Sequence, residues 1–292
     1  MKLATLLCAL LMVIGLSFSA LAPHRALAQM SGDATCPAKD LSSQYPGLKG
    51  RTIKVGMDPQ DVPYAYRDPK NFDHIVGFEA DFARDIASCL GMKVDFNPGA
   101  WSGIIPSVIS GHNDVMMSNL YYTPKRAEQI NYVVYMQAGI GGLALKDNSK
   151  KLASLEDLCG NSASPILGSV QATMLEEQSK KCEAAGKQPV QVIIHDSEDS
   201  GLRLIDNKRC DVLFSDAALV GTLVRAHPQY RQAFTVLSKF QIGVGMRKNE
   251  DQLLKGFYAV ISELQANGTE KSLMEKYGID TTLQVPAQTK TS

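Results

Sequence analysis

Two hydrophobic repeats alternate along most of the chain, one typical of strands and one typical of helices. Residues 52–57 (TIKVGM) alternate apolar and polar side chains, which predicts a half-buried strand. Four apolar residues then recur every four positions, which predicts one face of a helix: Phe78, Phe82, Ile86 and Leu90. Further strands are predicted at 93–96, 114–117, 190–194 and 211–214, and further helices at 217–226, 253–264 and 269–277. This alternation predicts an α/β fold with mostly parallel sheets.

The carboxyl ends of parallel strands are where such folds bind ligands, because helix N-termini point their N–H groups there. That rule selects the loops that follow Met57, Met117, Leu167 and Phe214. Trp101 stands at the head of another predicted helix. The candidate ligand-binding residues at these places are Asp58, Tyr64, Trp101, Ser118, Asn119, Tyr121, Arg126, Gly168, Ser169, Gln171 and Asp216.

Together these side chains have the chemistry that a small zwitterion needs. The guanidinium of Arg126 can bind a carboxylate with two parallel hydrogen bonds. The carboxylates of Asp58 and Asp216 can accept from an ammonium group, and the aromatic rings can cover the ligand and exclude water.

Structural roles are the alternative for each candidate. Asp216 and Ser169 each precede a predicted helix, so either can be an N-cap. Arg126 in a first helical turn can be a solvated charge. Trp101 and Tyr64 can be partly buried core residues.

The N-terminus predicts an export signal at residues 1–28. A basic start and an apolar run from 3 to 16 precede Ala26 and Ala28, the small residues that a signal peptidase reads, so cleavage is expected before Gln29. An uncleaved anchor is the alternative. The polar segment 29–48 predicts a loose leader, and the polar tail 284–292 predicts disorder.

Composition excludes several classes of protein. The 292 residues are 45% apolar, and 30 Lys and Arg balance 30 Asp and Glu, so no basic surface indicates nucleic-acid binding. The length suggests two domains. No Walker A loop or nucleophile elbow is present, and a G-x-G-x-x-A pattern at 139–144 has no helix after it, so no cofactor is predicted. The histidines lack ligand spacing, so no metal site is predicted either.

Five cysteines follow the predicted signal, and disulfides are permitted in an exported protein. Cys159 and Cys182 flank one predicted strand and helix and are the favoured pair, with Cys36 and Cys89 as a second pair. Cys210 is then left as a thiol. The alternative is that all five are small buried hydrophobic residues, because spacing does not determine connectivity.

A series of motifs resembles one known family. They are 52–58 (TIKVGMD), 77–81 (GFEAD), Trp101 with 104–106 (IIP), 110–114 (SGHND), 123–126 (TPKR), 157–160 (DLCG), 168–169 (GS), 210–216 (CDVLFSD) and 267–269 (NGT). In this order, across residues 50 to 280, they resemble the periplasmic amino-acid-binding proteins of ABC importers.

The resemblance implies a type II periplasmic binding protein fold, with two Rossmann-like α/β lobes joined by two hinge strands. Lobe one would comprise 45–137 plus 241–283, and lobe two 138–240. Arg126 would hold a ligand carboxylate and Asp216 an amino group, while Gly168 and Ser169 add N–H and hydroxyl donors. Tyr64 and Trp101 would cover the ligand side chain. The implied protein is a periplasmic monomer and not an enzyme, and it hands a small amino acid or related carboxylate to an ABC permease.

The sequence departs from the family pattern at one segment. Asn119, Tyr121 and Tyr122 replace the usual small residues and threonines before the proline, and Tyr121 stands where a ligand-binding threonine is expected. This departure changes the expected geometry around the ligand carboxylate and leaves a different ligand open, a non-amino-acid carboxylate or an aromatic compound. Two other functions stay open: a dehydratase of the cyclohexadienyl type on the same fold, and a binding protein that serves a receptor or a redox system.

Overall fold

The computed structural model describes residues 35–291, so the predicted signal peptide lies outside the described residues. Twelve strands occur in this part of the chain: β1 Thr52–Met57, β2 Gln60–Asp61, β3 Ala65–Asp68, β4 Asn71–Val76, β5 Lys93–Pro98, β6 Val115–Met116, β7 Ile130–Leu145, β8 Ser162–Ser164, β9 Gln191–Val192, β10 Val212–Asp216, β11 Tyr230–Arg247 and β12 Gln284–Lys290. The α-helices of the same part are α1 Phe78–Cys89, α2 Trp101–Ile109, α3 Pro124–Ala127, α4 Val170–Ala184, α5 Glu198–Asp206, α6 Ala217–Ala226, α7 Asp251–Ala266 and α8 Thr269–Lys276. None of these helices is long and apolar enough to cross a membrane.

Two long antiparallel strands, β7 and β11, run beside each other and connect two groups of shorter strands. At one end of the pair, β6 joins β11 through residues 245–246, and β1 and β5 continue the sheet in parallel. At the other end, β10 joins β7 through residues 140–143, and β8 and β9 continue it. The pairing of β7 with β11 shifts register between Val236 and Phe240. This shift separates the part of the pair that joins β6, β1 and β5 from the part that joins β10, β8 and β9.

This topology is the predicted α/β arrangement of two lobes joined by two strands. The first lobe is the part built on β1, β5 and β6, and the second lobe is the part built on β8, β9 and β10. The change of partners along β7 and β11 lies near the predicted crossings at 137/138 and 240/241. The lobe limits at 45–137 plus 241–283 and at 138–240 remain a prediction.

Helix α1 forms as its hydrophobic repeat predicts. Phe78, Phe82 and Ile86 are fully buried, and the rings of Phe78 and Phe82 pack on Tyr135 of β7. Burying each side chain of this size contributes about 1.5–3 kcal/mol. Gly77 begins the helix at φ 127°, where a Cβ would lie 2.3 Å from the carbonyl oxygen of Tyr64, so only glycine fits there.

The described part of the predicted loose leader is packed against the first lobe instead. Cys36 forms a disulfide with Cys89 at the end of α1, and the N–H of Leu41 donates to the Cys89 carbonyl at 2.8 Å. Leu41 and Leu48 are buried in the core. The prediction was wrong because two leucines and a disulfide outweigh the polar composition of this segment.

The second predicted disulfide is also present. Cys159 bonds to Cys182 and ties the turn after a short 3₁₀ helix, Glu156–Leu158, to α4 in the second lobe. Cys210 is a buried thiol, and burial raises its pKa to about 11. Both predicted pairings are therefore confirmed, and each disulfide fastens one lobe.

Most of the tail predicted to be disordered, 284–292, forms a strand instead, β12 at Gln284–Lys290. β12 pairs with the first half of β7, on the edge opposite β11. The side chain of Gln265 on α7 fixes it, since its Nε2 donates to the Val285 carbonyl at 2.8 Å and its Oε1 accepts from the Ala287 N–H at 2.9 Å. Backbone pairing at a free sheet edge does not need an apolar sequence, which is why composition misled the prediction.

Gln265→Ala is expected to lower the free energy of unfolding by about 1–2 kcal/mol, since two backbone hydrogen bonds to β12 are lost. Hydrogen exchange at Ala287 should become faster. Urea denaturation and exchange measurements check this, with Gln288→Ala on the exposed face of β12 as control. Equal stability of the two variants would show that Gln265 does not hold the strand.

Candidate ligand-binding site

A cleft lies where the carboxyl ends of β1 and β6 face the N-termini of α4, α5 and α6. Its cavity volume is about 30 Å³, and the space between its walls amounts to about 440 Å³ when the part open to solvent is included. Open α/β sheets bind ligands at this position. The lining residues are Asp58, Asp61, Trp101, Asn119, Tyr121, Arg126, Ile166, Ser169, Val170, Gln171, Glu198, Ser215 and Asp216.

Arg126 is the cation of this cleft. Thr123 caps α3 by accepting from the Arg126 backbone N–H at 3.2 Å, and Pro124 opens the helix, so the side chain leaves from a fixed first turn. Its guanidinium donates to the Tyr121 carbonyl at 2.7 Å and, across to the second lobe, to the Gly168 carbonyl at 3.1 Å. These bonds use only part of its five N–H donors.

Trp101 supports the guanidinium from one face. The Arg126 Cζ lies 5.0 Å from the centre of the indole ring, a cation–π contact. The indole N–H donates to the Ser118 carbonyl at 2.9 Å, and the Ser118 hydroxyl accepts from the Asp58 backbone N–H at 2.9 Å. Ser118 is fully buried, so it fixes two neighbours and does not line the cleft.

Asp216 connects the two lobes. It ends β10 and caps α6, with its Oδ1 accepting from the Ala218 N–H at 2.8 Å. Two phenols of the first lobe also donate to it: Tyr121 to Oδ2 at 2.6 Å and Tyr64 to Oδ1 at 3.2 Å. Burial raises the pKa of Asp216, and the hydrogen bond from Tyr121 is the first influence that opposes this rise.

Asp58 and Glu198 face the cleft with unused acceptors. They are 3% and 8% exposed, and Asp58 Oδ1 and Glu198 Oε2 have no hydrogen-bond partner among the residues that the structure describes. Ser215 donates to the other oxygen of Glu198 at 3.2 Å. Burial raises the pKa of Asp58 to about 6 and that of Glu198 to about 7. Asp61, fully enclosed, has a pKa raised well above its ordinary value by burial and by the neighbouring carboxylates.

Asn119 adds a further unused acceptor at the end of β6. Its backbone adopts a left-handed conformation, φ 49°, and its N–H donates to Glu79 Oε2 at 2.6 Å. Tyr135 donates to the other oxygen of Glu79. Burial raises the pKa of Glu79 to about 7. Asn119 Oδ1 has no partner within 35–291, so its amide carbonyl can accept from a ligand.

The N-terminus of α4 forms the wall of the second lobe. Ser169 caps the helix, with its Oγ accepting from the Ala172 N–H at 3.1 Å, and Gly168 makes the turn at φ 76°. Gln171 is nine-tenths buried and faces the cleft. Helix N-termini attract anionic groups, so this wall favours a carboxylate near Arg126.

A family model described as bacterial extracellular solute-binding proteins, family 3, matches residues 53–280. The chain belongs to this family.

Relatives of this family 3 protein bind different molecules. It is 26% identical over 234 residues to the L-cystine-binding protein TcyJ of Escherichia coli K12, covering 79% of this chain and 84% of TcyJ. An ancestral arginine-binding protein bound to arginine is 28% identical, with a TM-score of 0.72 over 79% of this chain and 99% of that one. The ancestral amino acid-binding protein AncCDT-1, a precursor of cyclohexadienyl dehydratase, is 26% identical, with a TM-score of 0.67 over 77% of this chain and 94% of its own.

Eight of the eleven predicted site residues line the cleft of this family 3 protein: Asp58, Trp101, Asn119, Tyr121, Arg126, Ser169, Gln171 and Asp216. The other three support them. Ser118 holds Asp58 and Trp101, Gly168 offers its carbonyl to Arg126, and Tyr64 is buried with its hydroxyl on Asp216. Their assignment as direct ligand contacts stays a prediction. Asp216 and Ser169 cap helices, as the structural alternative predicted, and also face the cleft.

Five lining residues are not among the predicted site residues: Asp61, Ile166, Val170, Glu198 and Ser215. Val170 and Ser215 lie in two of the loops that the strand-end rule selects. Glu198 was available to the same rule that found the others, because it opens the helix after the predicted strand at 190–194. Ser197 caps that helix. Asp61 carries no comparable signal, since it lies three residues beyond Asp58 in the two-residue strand β2, which is too short for a hydrophobic repeat to predict.

Tyr121→Phe is expected to lower the free energy of unfolding by about 1–3 kcal/mol, because Asp216 loses its shortest hydrogen bond while staying buried. Urea denaturation measures the change. Tyr122→Phe is the matched control, since its ring packs edge-on against Tyr132 and away from Asp216. If the Tyr121 variant is as stable as this control, the hydrogen bond from Tyr121 to Asp216 does not stabilise the contact between the lobes.

The ligand-free protein is expected to lose about 1–3 kcal/mol of its free energy of unfolding between pH 5 and pH 8. Asp58, Glu79 and Glu198 have pKa values raised by burial, so the folded state keeps protons that the unfolded state has released. Their contribution is complete at low pH and disappears as pH rises through about 6 to 7. Glu198→Gln should flatten this profile, while the surface change Glu183→Gln should not. A profile that rises across this range would contradict the assignment.

Proposed function

We propose that this family 3 solute-binding protein captures a small amino acid or related carboxylate between its lobes and delivers it to an ABC import permease of the inner membrane. One observation carries the proposal: Arg126 lines the same cleft as buried carboxylates of both lobes. A zwitterion matches this arrangement, with its carboxylate on the guanidinium and its ammonium group on the acids. The names of the relatives support the same class of ligand.

Capture would follow from closure of the lobes. Arg126 belongs to the first lobe, whereas Ser169, Glu198 and Asp216 belong to the second. A ligand that contacts both groups therefore stabilises the closed form through contacts that neither lobe makes alone. Such binding requires no covalent step, and we assign the protein a binding and not an enzymatic role.

The cellular setting is part of the proposal. The family is described as extracellular, and the N-terminal pattern predicts export with cleavage before Gln29. The mature protein would act as a monomer in the periplasm. Intact mass of protein recovered from periplasm tests the cleavage site, and light scattering tests the monomer.

Arg126→Ala is expected to weaken ligand binding about 100-fold, which corresponds to about 3 kcal/mol for a charged partner lost from a buried site. A thermal-shift screen of the amino acids and small carboxylates identifies the ligand, because a ligand that binds only the folded state raises the melting temperature. Calorimetry then gives the dissociation constants. Arg225→Ala, on the far part of α6, is the control. An unchanged dissociation constant for the Arg126 variant would show that Arg126 does not bind the ligand.

A dehydratase of the cyclohexadienyl type is the second candidate. The likeness to AncCDT-1 and the near-neutral pKa values of Asp58 and Glu198 favour it, because a general acid needs a pKa near the working pH. Incubation with prephenate and arogenate distinguishes the two functions. We expect no turnover. Measurable product would show that the protein is a dehydratase and would contradict the proposed binding role.

A further inference from the structure

We propose that Asp216 joins the two lobes and is not the receptor for a ligand ammonium group, because Tyr121 holds the acceptor that such a group would need. Tyr121 is then a residue that determines selectivity, since it prevents Asp216 from distinguishing an amino acid from the same carboxylate without its amino group. This inference rests on the proposed function, because it concerns recognition at the same site. It departs from the role that the family resemblance implies for Asp216.

The acceptor positions of Asp216 are all in use. A carboxylate offers about four of them. Two are taken within the second lobe by the backbone N–H groups of Ala218 and Leu219, in the first turn of α6. The other two are taken from the first lobe by the phenols of Tyr64 and Tyr121. Asp216 is 2% exposed, so an ammonium group reaches this carboxylate only by displacing one of these four donors.

The two phenols are held in place by their surroundings. The ring of Tyr121 stacks on that of Phe240, with ring centres 5.6 Å apart, at the point where β11 crosses between the lobes. Tyr64 is 1% exposed, and its backbone carbonyl accepts from the Glu79 N–H at 2.9 Å. Because packing and backbone hydrogen bonds fix both residues, each phenol stays within reach of Asp216.

An ammonium group would gain little by displacing Tyr121. The phenol donates to Asp216 Oδ2 at 2.6 Å, and a hydrogen bond to a charged oxygen is stronger than one to a neutral acceptor. After displacement, the acceptor left to the phenol within the described residues is the Gly139 carbonyl, at 3.2 Å. The exchange therefore replaces one bond to a charged oxygen with another, and the net contribution to affinity is small.

The length of the side chain at position 121 is what connects it to Asp216. This position follows β6 in the first lobe, and the aromatic ring carries the hydroxyl across to the second lobe. The family pattern has a threonine here, whose hydroxyl lies directly on Cβ. Tyr121→Thr is therefore expected to release Oδ2 of Asp216 and make it available to a ligand.

Matched ligand pairs measure selection for the ammonium group. Calorimetric titrations at pH 7.5 compare glutamate with glutarate, leucine with 4-methylpentanoate, and arginine with 5-guanidinopentanoate. The second member of each pair lacks only the α-amino group. The selectivity ratio is the dissociation constant of the second member divided by that of the first, and a tenfold ratio corresponds to about 1.4 kcal/mol.

Tyr121→Thr should raise the selectivity ratio about tenfold or more for a pair that binds, because Asp216 gains a free acceptor for a charged donor. Tyr121→Phe keeps the ring but removes the donor, and it should raise the ratio too if the threonine variant does not fold. Tyr122→Thr is the matched control, since its ring packs on Tyr132. An unchanged ratio in both Tyr121 variants would overturn the proposal.

A second variant assigns the gain to Asp216. Asp216→Asn should lower the selectivity ratio at least about tenfold more in the Tyr121→Thr background than in the natural chain. This comparison cancels the general effect of removing one negative charge from the cleft, because the charge is lost in both backgrounds. Equal falls in the two backgrounds would show that Asp216 already receives the ammonium group beside Tyr121, against the proposal.

A stability cycle tests the joining of the lobes without any ligand. Tyr121→Phe should lower the folding equilibrium constant about tenfold or more in the natural chain, and less than about threefold when Asp216 is already replaced by asparagine. Urea denaturation of the four proteins gives these values. Equal losses in both backgrounds would show that the phenol stabilises the protein through other contacts, against the role of Asp216 as the residue that joins the lobes.

The outcomes separate this inference from the proposed function. If no amino acid or small carboxylate binds, the proposed function fails, whereas the stability cycle still decides whether Asp216 joins the lobes. If amino acids bind through Arg126 and Asp216→Asn lowers the selectivity ratio equally in both backgrounds, capture of amino acids stands and the inference about Tyr121 is rejected.

Discussion

The antiparallel ladder of β7 and β11 is the constraint on which the rest of the molecule depends. Each strand passes from one lobe to the other, so the two lobes share one pair of strands whose backbone pairing is interrupted only by register shifts. The ladder places the strand ends of both lobes around one cleft, and the register shift between Val236 and Phe240 marks where the two halves meet. Functional side chains separated by more than 150 residues, such as Tyr64 and Asp216, therefore lie within hydrogen-bonding distance.

Much of this arrangement could be predicted from the sequence because its signals are local. The repeat from Phe78 to Leu90 predicted α1. The rule that ligands bind at the carboxyl ends of parallel strands then predicted most of the residues that line the cleft, including Arg126 and Asp216. Both cysteine pairs were also correct, although spacing alone left their connectivity open.

The errors have a different physical origin. The leader and the tail are polar, yet a buried Leu41 and the amide of Gln265 bind them to the fold through contacts distant in sequence. Asp61 and Ser118 show the same limit at the site. Whether a side chain faces the cleft or supports a neighbour depends on how strands pair across the sheet, and composition or periodicity does not contain that information.

The buried acids make ligand binding and proton binding interdependent. Burial raises the pKa of Asp58 to about 6 and that of Glu198 to about 7, so both acids keep their protons to a higher pH than exposed carboxyls do. A cationic ligand group beside them favours their ionised forms, so its arrival would release those protons. The carboxylate of Asp216 is stabilised differently. The phenols of Tyr64 and Tyr121 donate hydrogen bonds to it, so this buried acid has partners without any ligand.

The two disulfides have a consequence for biogenesis. One bridge fastens each lobe, and a native bridge of this kind contributes typically about 2–4 kcal/mol. Thiols remain reduced in the bacterial cytosol and are oxidised outside it. A newly made chain thus lacks both cross-links while it awaits export and gains them on arrival. Full stability is then reached only in the compartment where the protein would work, and the reduced precursor remains easier to unfold for translocation.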